Sequence, residues 1–92
     1  MTKSELIETI LSRQSQLSAK DVELAVKTVI EHMSQALASG ERIEIRGFGS
    51  FVNKSYDSYT GRNPKTGEKI SVPAKKLPFF KVGKELKFRV DD

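Results

Sequence analysis

The chain has 92 residues, which is enough for one domain at most, and its formal net charge is +4. It contains no cysteine and a single histidine, so a disulfide framework and a thiolate zinc site are excluded, and His32 cannot form a metal site alone. Positions 1–53 carry six basic and seven acidic residues, whereas positions 54–92 carry ten and five. This uneven basic charge favours an anionic partner, most commonly nucleic acid, although charge also serves solubility alone.

No segment has the pattern of a targeting signal or a membrane span. The N-terminal residues MTKSELIETIL carry no long apolar region of the kind that a secretion signal needs. No stretch approaches the roughly 20 apolar residues of a transmembrane helix. We therefore expect a cytoplasmic protein.

Two helices are predicted in the first forty residues. Thr2 and Glu5 form a capping box that begins a helix over about 3–14. Ser18 caps a second helix, which Gly40 ends, and the short turn between the helices predicts an antiparallel hairpin. The second helix is long for so small a domain and carries an apolar stripe that a partner subunit would cover, at Val22, Ala25, Val26, Val29, Ile30, Met33 and Leu37.

From Glu41 the apolar period changes from 3.6 to 2, which indicates β-structure. Isoleucines and charged residues alternate over 42–46, a tight turn follows at 47–49, and a second strand covers about 50–56. A return strand and a short last helix at about 83–90 complete the pattern. The predicted core and return-strand residues are Phe48, Phe51, Leu77, Phe79 and Phe80.

Residues 57–72 are polar, so they are expected to project from the body as a two-stranded ribbon. Within it, GRNPKTGEK at 61–69 contains an Asn-Pro and a Thr-Gly turn signal and holds Pro64 among cations. A disordered surface loop explains the polarity but not this composition. In a DNA-binding arm, Arg62 and Asn63 would bind acceptors on the minor-groove floor. Pro64 is rigid, apolar and without an amide hydrogen, so it would wedge between base pairs.

Three motifs, IEIRGFGSF at 43–51, TGRNPKTGEKI at 60–70 and FKVGKEL at 80–86, make the chain similar to the bacterial HU and integration host factor family. The resemblance covers the whole chain, and GERIEIRGFGSF at 40–51 is most similar to integration host factor β subunits. It implies an α+β fold in one domain over 1–92. The parts would be a helical hairpin base, a three-stranded antiparallel sheet with a long protruding β-ribbon arm at about 57–75, and a short C-terminal helix. The implied assembly is an intertwined dimer, a heterodimer with a related α subunit or a homodimer, whose two arms wrap double-stranded DNA.

The resemblance also implies a set of DNA-binding residues. Arg62, Asn63 and Pro64 match the family's arm tip, with Pro64 as the intercalating residue, and helix N-termini near Lys3 and Lys84 would meet phosphates. Many family members have arginines just before the tip, where this chain has Tyr56, Asp57, Ser58 and Tyr59, so weaker arm-base contacts are expected. The lysines at phosphate-facing positions of the family are Lys65, Lys69, Lys75, Lys76, Lys81 and Lys84.

Arg42, Glu44 and Arg46 fall on the polar face of the first strand by alternation. One interpretation is an ion pair on a solvated strand. The other is that Arg46 enters a narrow A·T-rich minor groove, whose negative potential attracts arginine, while Glu44 fixes its conformation. All three therefore join the candidate DNA-binding residues.

No catalytic pattern is present in the sequence. GFGS at 47–50 lacks the rest of a phosphate-binding loop and is assigned a structural role, and no paired acid and base are apparent. We expect no enzyme, cofactor or metal. The predicted function is an architectural DNA-binding protein of the nucleoid that binds the minor groove and sharply bends DNA in recombination and transcription. The open alternatives are an HU-like homodimer with little sequence preference and a dimeric scaffold that grips a protein with its arm.

Overall fold

The computed structural model describes residues 1–91. Its contacts fall into two compact units, one over Met1–Ala36 and the other from Leu37 onward. No helix within the described residues is long and apolar enough to cross a membrane.

The first unit is built from two amphipathic helices, α1 over Lys3–Arg13 and α2 over Ala19–Ala38, whose last residues extend into the second unit. Both begin where the sequence predicts, because a side-chain oxygen satisfies an amide that the first helical turn leaves without a partner. The Thr2 hydroxyl accepts from the Glu5 amide, and the Ser18 hydroxyl accepts from the Asp21 amide, each at 3.1 Å.

The core of the first unit is small. Among the described residues, the buried apolar side chains are Val22 and Val26 of α2. Other members of the predicted stripe stay accessible; Val29, for example, is 57% exposed. An open apolar groove of about 330 Å³ is lined by residues of both helices, Leu6, Ile10, Ala25, Val26, Val29 and Ile30. The stripe is present, but this chain alone does not cover it.

The second unit contains a three-stranded antiparallel sheet of order β1-β2-β5, with β1 at Ile43–Ile45, β2 at Gly49–Tyr56 and β5 at Lys75–Val82. Across the sheet, Ile43 lies opposite Phe51, which lies opposite Phe80. The Phe51 and Phe80 ring centroids are 4.8 Å apart, and those rings form the apolar centre of this face.

Phe48 contacts the Phe80 ring at a centroid distance of 5.2 Å. The side chain is nevertheless 42% exposed, so this predicted core residue is not buried within the single chain. Two further exposed apolar residues of the sheet, Ile45 and Val82, lie opposite Gly49 in the pairing.

The first strand is shorter than the alternation at 42–46 predicts. β1 ends at Ile45, because the Phe48 amide donates to the Ile45 carbonyl oxygen at 3.0 Å and closes a turn over 46–48. Gly47 has a φ of +82°, a conformation that costs glycine little and other residues more. Arg46 therefore lies in the turn and not in the strand.

A two-stranded ribbon follows β2, formed by β3 at Tyr59–Arg62 and β4 at Lys69–Val72. The ladder is interrupted between the sheet and the ribbon, but its register is unchanged. Tyr56 pairs with Lys75 before the break and Tyr59 pairs with Val72 after it, so two residues are skipped on each strand. Pro73 lies in the break and has no amide hydrogen to donate to a ladder.

The last element, α3, covers Lys84–Val90, as predicted. The helices, the antiparallel sheet and the ribbon confirm the predicted α+β architecture. The ribbon lies within 57–75, the range that the sequence assigns to an arm, and "the arm" below means β3, β4 and their connection at 63–68.

Candidate nucleic-acid interface

The arm ends in a hydrogen-bonded turn. The Asn63 amide donates to the Glu68 carbonyl oxygen at 2.9 Å, and the Gly67 amide donates to the Asn63 carbonyl oxygen at 2.7 Å. Gly67 has a φ of +75°, which a residue with a side chain adopts only at a cost. The Asn-Pro and Thr-Gly signals of the sequence therefore belong to one turn, in which Asn-Pro lies at the start and Thr-Gly at the end.

The tip presents Pro64 to solvent. Pro64 is exposed, and the Asn63 side chain forms an Asx turn around it, in which Oδ1 accepts from the Lys65 amide at 2.9 Å. This bond occupies the side-chain acceptor of Asn63 and leaves its amide nitrogen as a donor. The minor-groove floor presents acceptors at A·T pairs, so a donor beside an exposed proline suits an arm tip in that groove.

Two cations face each other directly behind the tip. Arg62 is the cross-strand partner of Lys69, and both are exposed. Like charges directly opposite in a ladder destabilise it unless an anion lies close to both. An anion bound close to both side chains would relieve this repulsion.

The three lysines predicted on β5 are all exposed, but they do not share one face. Successive side chains on a strand point to opposite faces, so Lys75 and Lys81 share a face and Lys76 points away. Their partners on β2 alternate in the same way: Lys75 is opposite Tyr56, Lys76 opposite Ser55 and Lys81 opposite Ser50.

Lys54 lies on the same face of the sheet as Lys75 and Lys81, and it is not among the DNA-binding residues that the sequence predicts. It lies an even number of residues from Ser50 along β2, and its Nζ is 3.7 Å from the centroid of the Phe79 ring. The period-2 spacing from Ser50 to Lys54 could have indicated from the sequence that the two side chains share a face. The cation–π contact holds this ammonium on the sheet surface.

One interpretation of the sequence paired Glu44 with Arg46, but the structure does not show this pair. The Glu44 carboxylate binds Arg42, with 2.9 Å between Oε1 and Nη2, and both side chains are more than half exposed. Arg46 is exposed in the turn after β1. It borders a groove of about 400 Å³ lined by Glu44, Ile45, Arg46, Gly47, Gly49, Ser50 and Gly83.

The two lysines predicted near helix N-termini, Lys3 and Lys84, lie in separate units, and both are exposed. The start of α1 is capped by the Thr2 hydroxyl. The start of α3 has Gly83 as its N-cap and no side-chain hydrogen bond there. The first amides of α3 are therefore the more open of the two sets to an external acceptor.

Within residues 1–91, no group of three or more His, Cys, Asp or Glu side chains is placed to hold a metal ion.

A family model described as bacterial DNA-binding protein matches residues 1–91 of the chain. An integration host factor subunit beta from Marinobacter nauticus is 65% identical over 92 residues, covering all of this chain and 94% of the relative. The integration host factor subunit beta of Pseudomonas aeruginosa is 63% identical over 92 residues, covering all of this chain and 98% of the relative.

Solved structures of the HU type have the same fold. An Anabaena HU–DNA cocrystal structure matches with a TM-score of 0.86 at 32% identity, covering 98% of this chain and 97% of the other. HU from Thermotoga maritima matches with a TM-score of 0.65 at 33% identity, covering 98% of each chain.

Proposed function

Because the chain belongs to the bacterial DNA-binding protein family of HU and integration host factor, we infer that it is an architectural protein that binds double-stranded DNA and bends it. The observation that carries this inference is the arm, which has an exposed Pro64 at its tip and Arg62 opposite Lys69 behind it. Double-stranded DNA suits both features, because an apolar wedge can enter between its stacked base pairs and two cations without an ion pair can bind its phosphates.

The arm would act in the minor groove. Pro64 would enter between two base pairs, where its missing amide hydrogen leaves no donor unsatisfied. Arg62 and the free amide nitrogen of Asn63 would donate to acceptors on the groove floor. Lys65 and Lys69 would meet the phosphates at either side.

Bending requires a second contribution from the body. Unstacking a base step costs a few kcal/mol, and bending a short site costs roughly 1–10 kcal/mol. The bend brings more phosphates to the protein, and the release of counterions from those phosphates offsets the cost. The body residues proposed for these contacts are Lys3, Arg42, Lys54, Lys75, Lys76, Lys81 and Lys84.

Arg46 is proposed to give sequence preference. It borders the groove next to the β1–β2 turn, and within residues 1–91 it forms no ion pair, whereas Arg42 is neutralised by Glu44. An unpaired guanidinium is attracted to a narrow A·T-rich minor groove.

We propose that the working form is an intertwined dimer, with a related α subunit as the preferred partner. The uncovered stripe on α2 supports a partner, and the relatives from Marinobacter nauticus and Pseudomonas aeruginosa are named as subunits. Two arms would place two kinks on one duplex. The protein would then act in the cytoplasm at the nucleoid, in recombination and transcription, and not as an enzyme.

A second candidate is an HU-like homodimer with little sequence preference, which the HU fold match supports. The test is to purify the chain alone and with a related α chain, and to measure binding to a selected duplex and a random duplex at several salt concentrations. Preference only in the mixed sample supports the heterodimer, and equal binding by the chain alone supports the HU-like form. If neither sample binds either duplex at any salt concentration, both the heterodimer and the HU-like homodimer are contradicted, and a scaffold that grips a protein is favoured.

A further inference from the structure

The two faces of the arm differ in chemistry. One face carries the Arg62 and Lys69 pair. On the other, Tyr59 lies opposite Val72 and Gly61 lies opposite Ile70, and these pairs are adjacent because residues two apart on a strand share a face. Residues 57–72 are polar for the most part, but the register places three apolar side chains, Tyr59, Ile70 and Val72, on one side of the ribbon.

The Tyr59 ring lies over the backbone of Gly61. Its Cε2 atom is 3.6 Å from the position that a Cβ atom on Gly61 would occupy, which is ordinary van der Waals contact. Gly61 and Val72 are half-buried although Thr60 and Arg62 beside Gly61 are exposed. The ring therefore covers the backbone at Gly61, which has no side chain to do so. An aromatic ring over a glycine stabilises the strand pairing at that position.

The arm needs such a contact more than the sheet does. The break at 57–58 and 73–74 separates it from the sheet, so it is a two-stranded ladder of four residue pairs. A two-stranded hairpin is marginal in water by itself. In the absence of an anion, repulsion between Arg62 and Lys69 weakens it further. Tyr59 is the first residue after the break, where the ladder must restart in register.

We propose that Tyr59 is a positioning residue of the arm: its ring, which lies over Gly61 on the strand opposite Val72, holds the distal ladder in register so that Pro64 is delivered to DNA in an ordered turn. The ring and not the hydroxyl has this role. The final step, delivery to DNA, rests on the proposed function, whereas the packing itself does not.

Position 59 holds an uncharged aromatic residue in a basic arm. An arginine at this position would add a phosphate contact, whereas the tyrosine adds order to the unbound arm. The two side chains differ in their expected effect on the salt dependence of binding, which allows the role of Tyr59 to be isolated.

The first test uses the assembled dimer without DNA. In NMR spectra, the Gly61 α-protons should be shifted upfield by the Tyr59 ring, and Tyr59→Phe should keep that shift while Tyr59→Ala loses it. Amide exchange in the arm should become up to about fivefold faster in Tyr59→Ala, which is the range of one aromatic cross-strand pair. Tyr56→Ala is the matched control, because Tyr56 pairs with Lys75 on the sheet side of the break and should leave arm exchange unchanged.

The second test uses a short duplex with a fluorophore at each end. Tyr59→Ala should require up to about fivefold more protein for half-maximal bending with the same salt slope, and Tyr59→Phe should behave as the unmodified protein. Tyr59→Arg should lose the Gly61 shift yet steepen the slope by about 0.9.

Two outcomes would overturn the proposal. These are an unshifted Gly61 α-proton in the unmodified dimer and unchanged arm exchange in Tyr59→Ala. If bending is nevertheless weaker when exchange is unchanged, the ring contacts DNA directly. If the unmodified dimer bends no DNA, the proposed function fails, and the shift and exchange data still decide whether Tyr59 orders the arm.

Discussion

Glu44 Oε1 lies 2.9 Å from Nη2 of Arg42, two positions earlier in the chain, and this ion pair leaves Arg46 as the cation beside the groove at the β1–β2 turn. Surface pairs of this kind contribute at most about 1 kcal/mol to folding, so the pair matters more for which arginine is available to DNA. Two neighbouring arginines of equal formal charge are thus placed in different electrostatic surroundings.

Arg46→Ala should flatten sequence preference and leave general affinity nearly intact, because one cation contributes at most about one phosphate contact. Arg42→Ala is the matched control and should keep the preference. The measurement is competition between a duplex selected from a random pool and a random duplex, with the partner chain present. An equal loss of preference in both variants would mean that Arg46 has no special role.

Glu44→Ala should raise affinity for random duplex, because it removes a negative charge and frees Arg42 for a phosphate. Because Glu44 is paired with Arg42 and not with Arg46, we expect an unchanged preference in the same competition assay. A relaxed preference would show that Glu44 changes partner on DNA and restrains Arg46.

Lys69→Gln should have opposite effects on the free and the bound protein. Removing the charge opposite Arg62 relieves repulsion in the ladder, so amide exchange in the free arm should slow. The loss of a phosphate contact should make the slope of log K against log salt shallower by about 0.9. Lys87→Gln, at an exposed position in α3 outside the proposed site, is the charge-matched control. The same slope change in both variants would contradict a specific role for Lys69.

The melting temperature should rise with protein concentration, because the α2 stripe is covered only when two chains associate. Circular dichroism over a hundredfold range of concentration measures this directly. A melting temperature that does not change on dilution would show that the single chain is stable without a partner.

The sequence was most informative where the determinants are local. The helix starts follow from caps within three residues, at Thr2 and Ser18, and the strands follow from period-2 alternation. The arm tip was also predictable, because Asn63 and Gly67 act through bonds inside one turn.

Features that depend on pairing between distant residues were not predictable in this way. Alternation placed Arg46 on a strand, but the bond from Phe48 to Ile45 ends the strand first. The position of Tyr59 over Gly61 depends on the β3–β4 register and on the break beside Pro73. Arg42 and Arg46 are both two residues from Glu44, so spacing alone does not show which of them binds the carboxylate. The side-chain geometry decides in favour of Arg42.

Pro64 is proposed to kink DNA while the surrounding cations attract it, and one measurement separates these roles. Energy transfer between fluorophores at the two ends of a short duplex is recorded at saturating protein, for the unmodified dimer and for Pro64→Ala. We expect a clearly longer end-to-end distance in the Pro64→Ala complex, with a salt slope of binding that is unchanged because no charge is removed. Equal end-to-end distances in the two saturated complexes would contradict it.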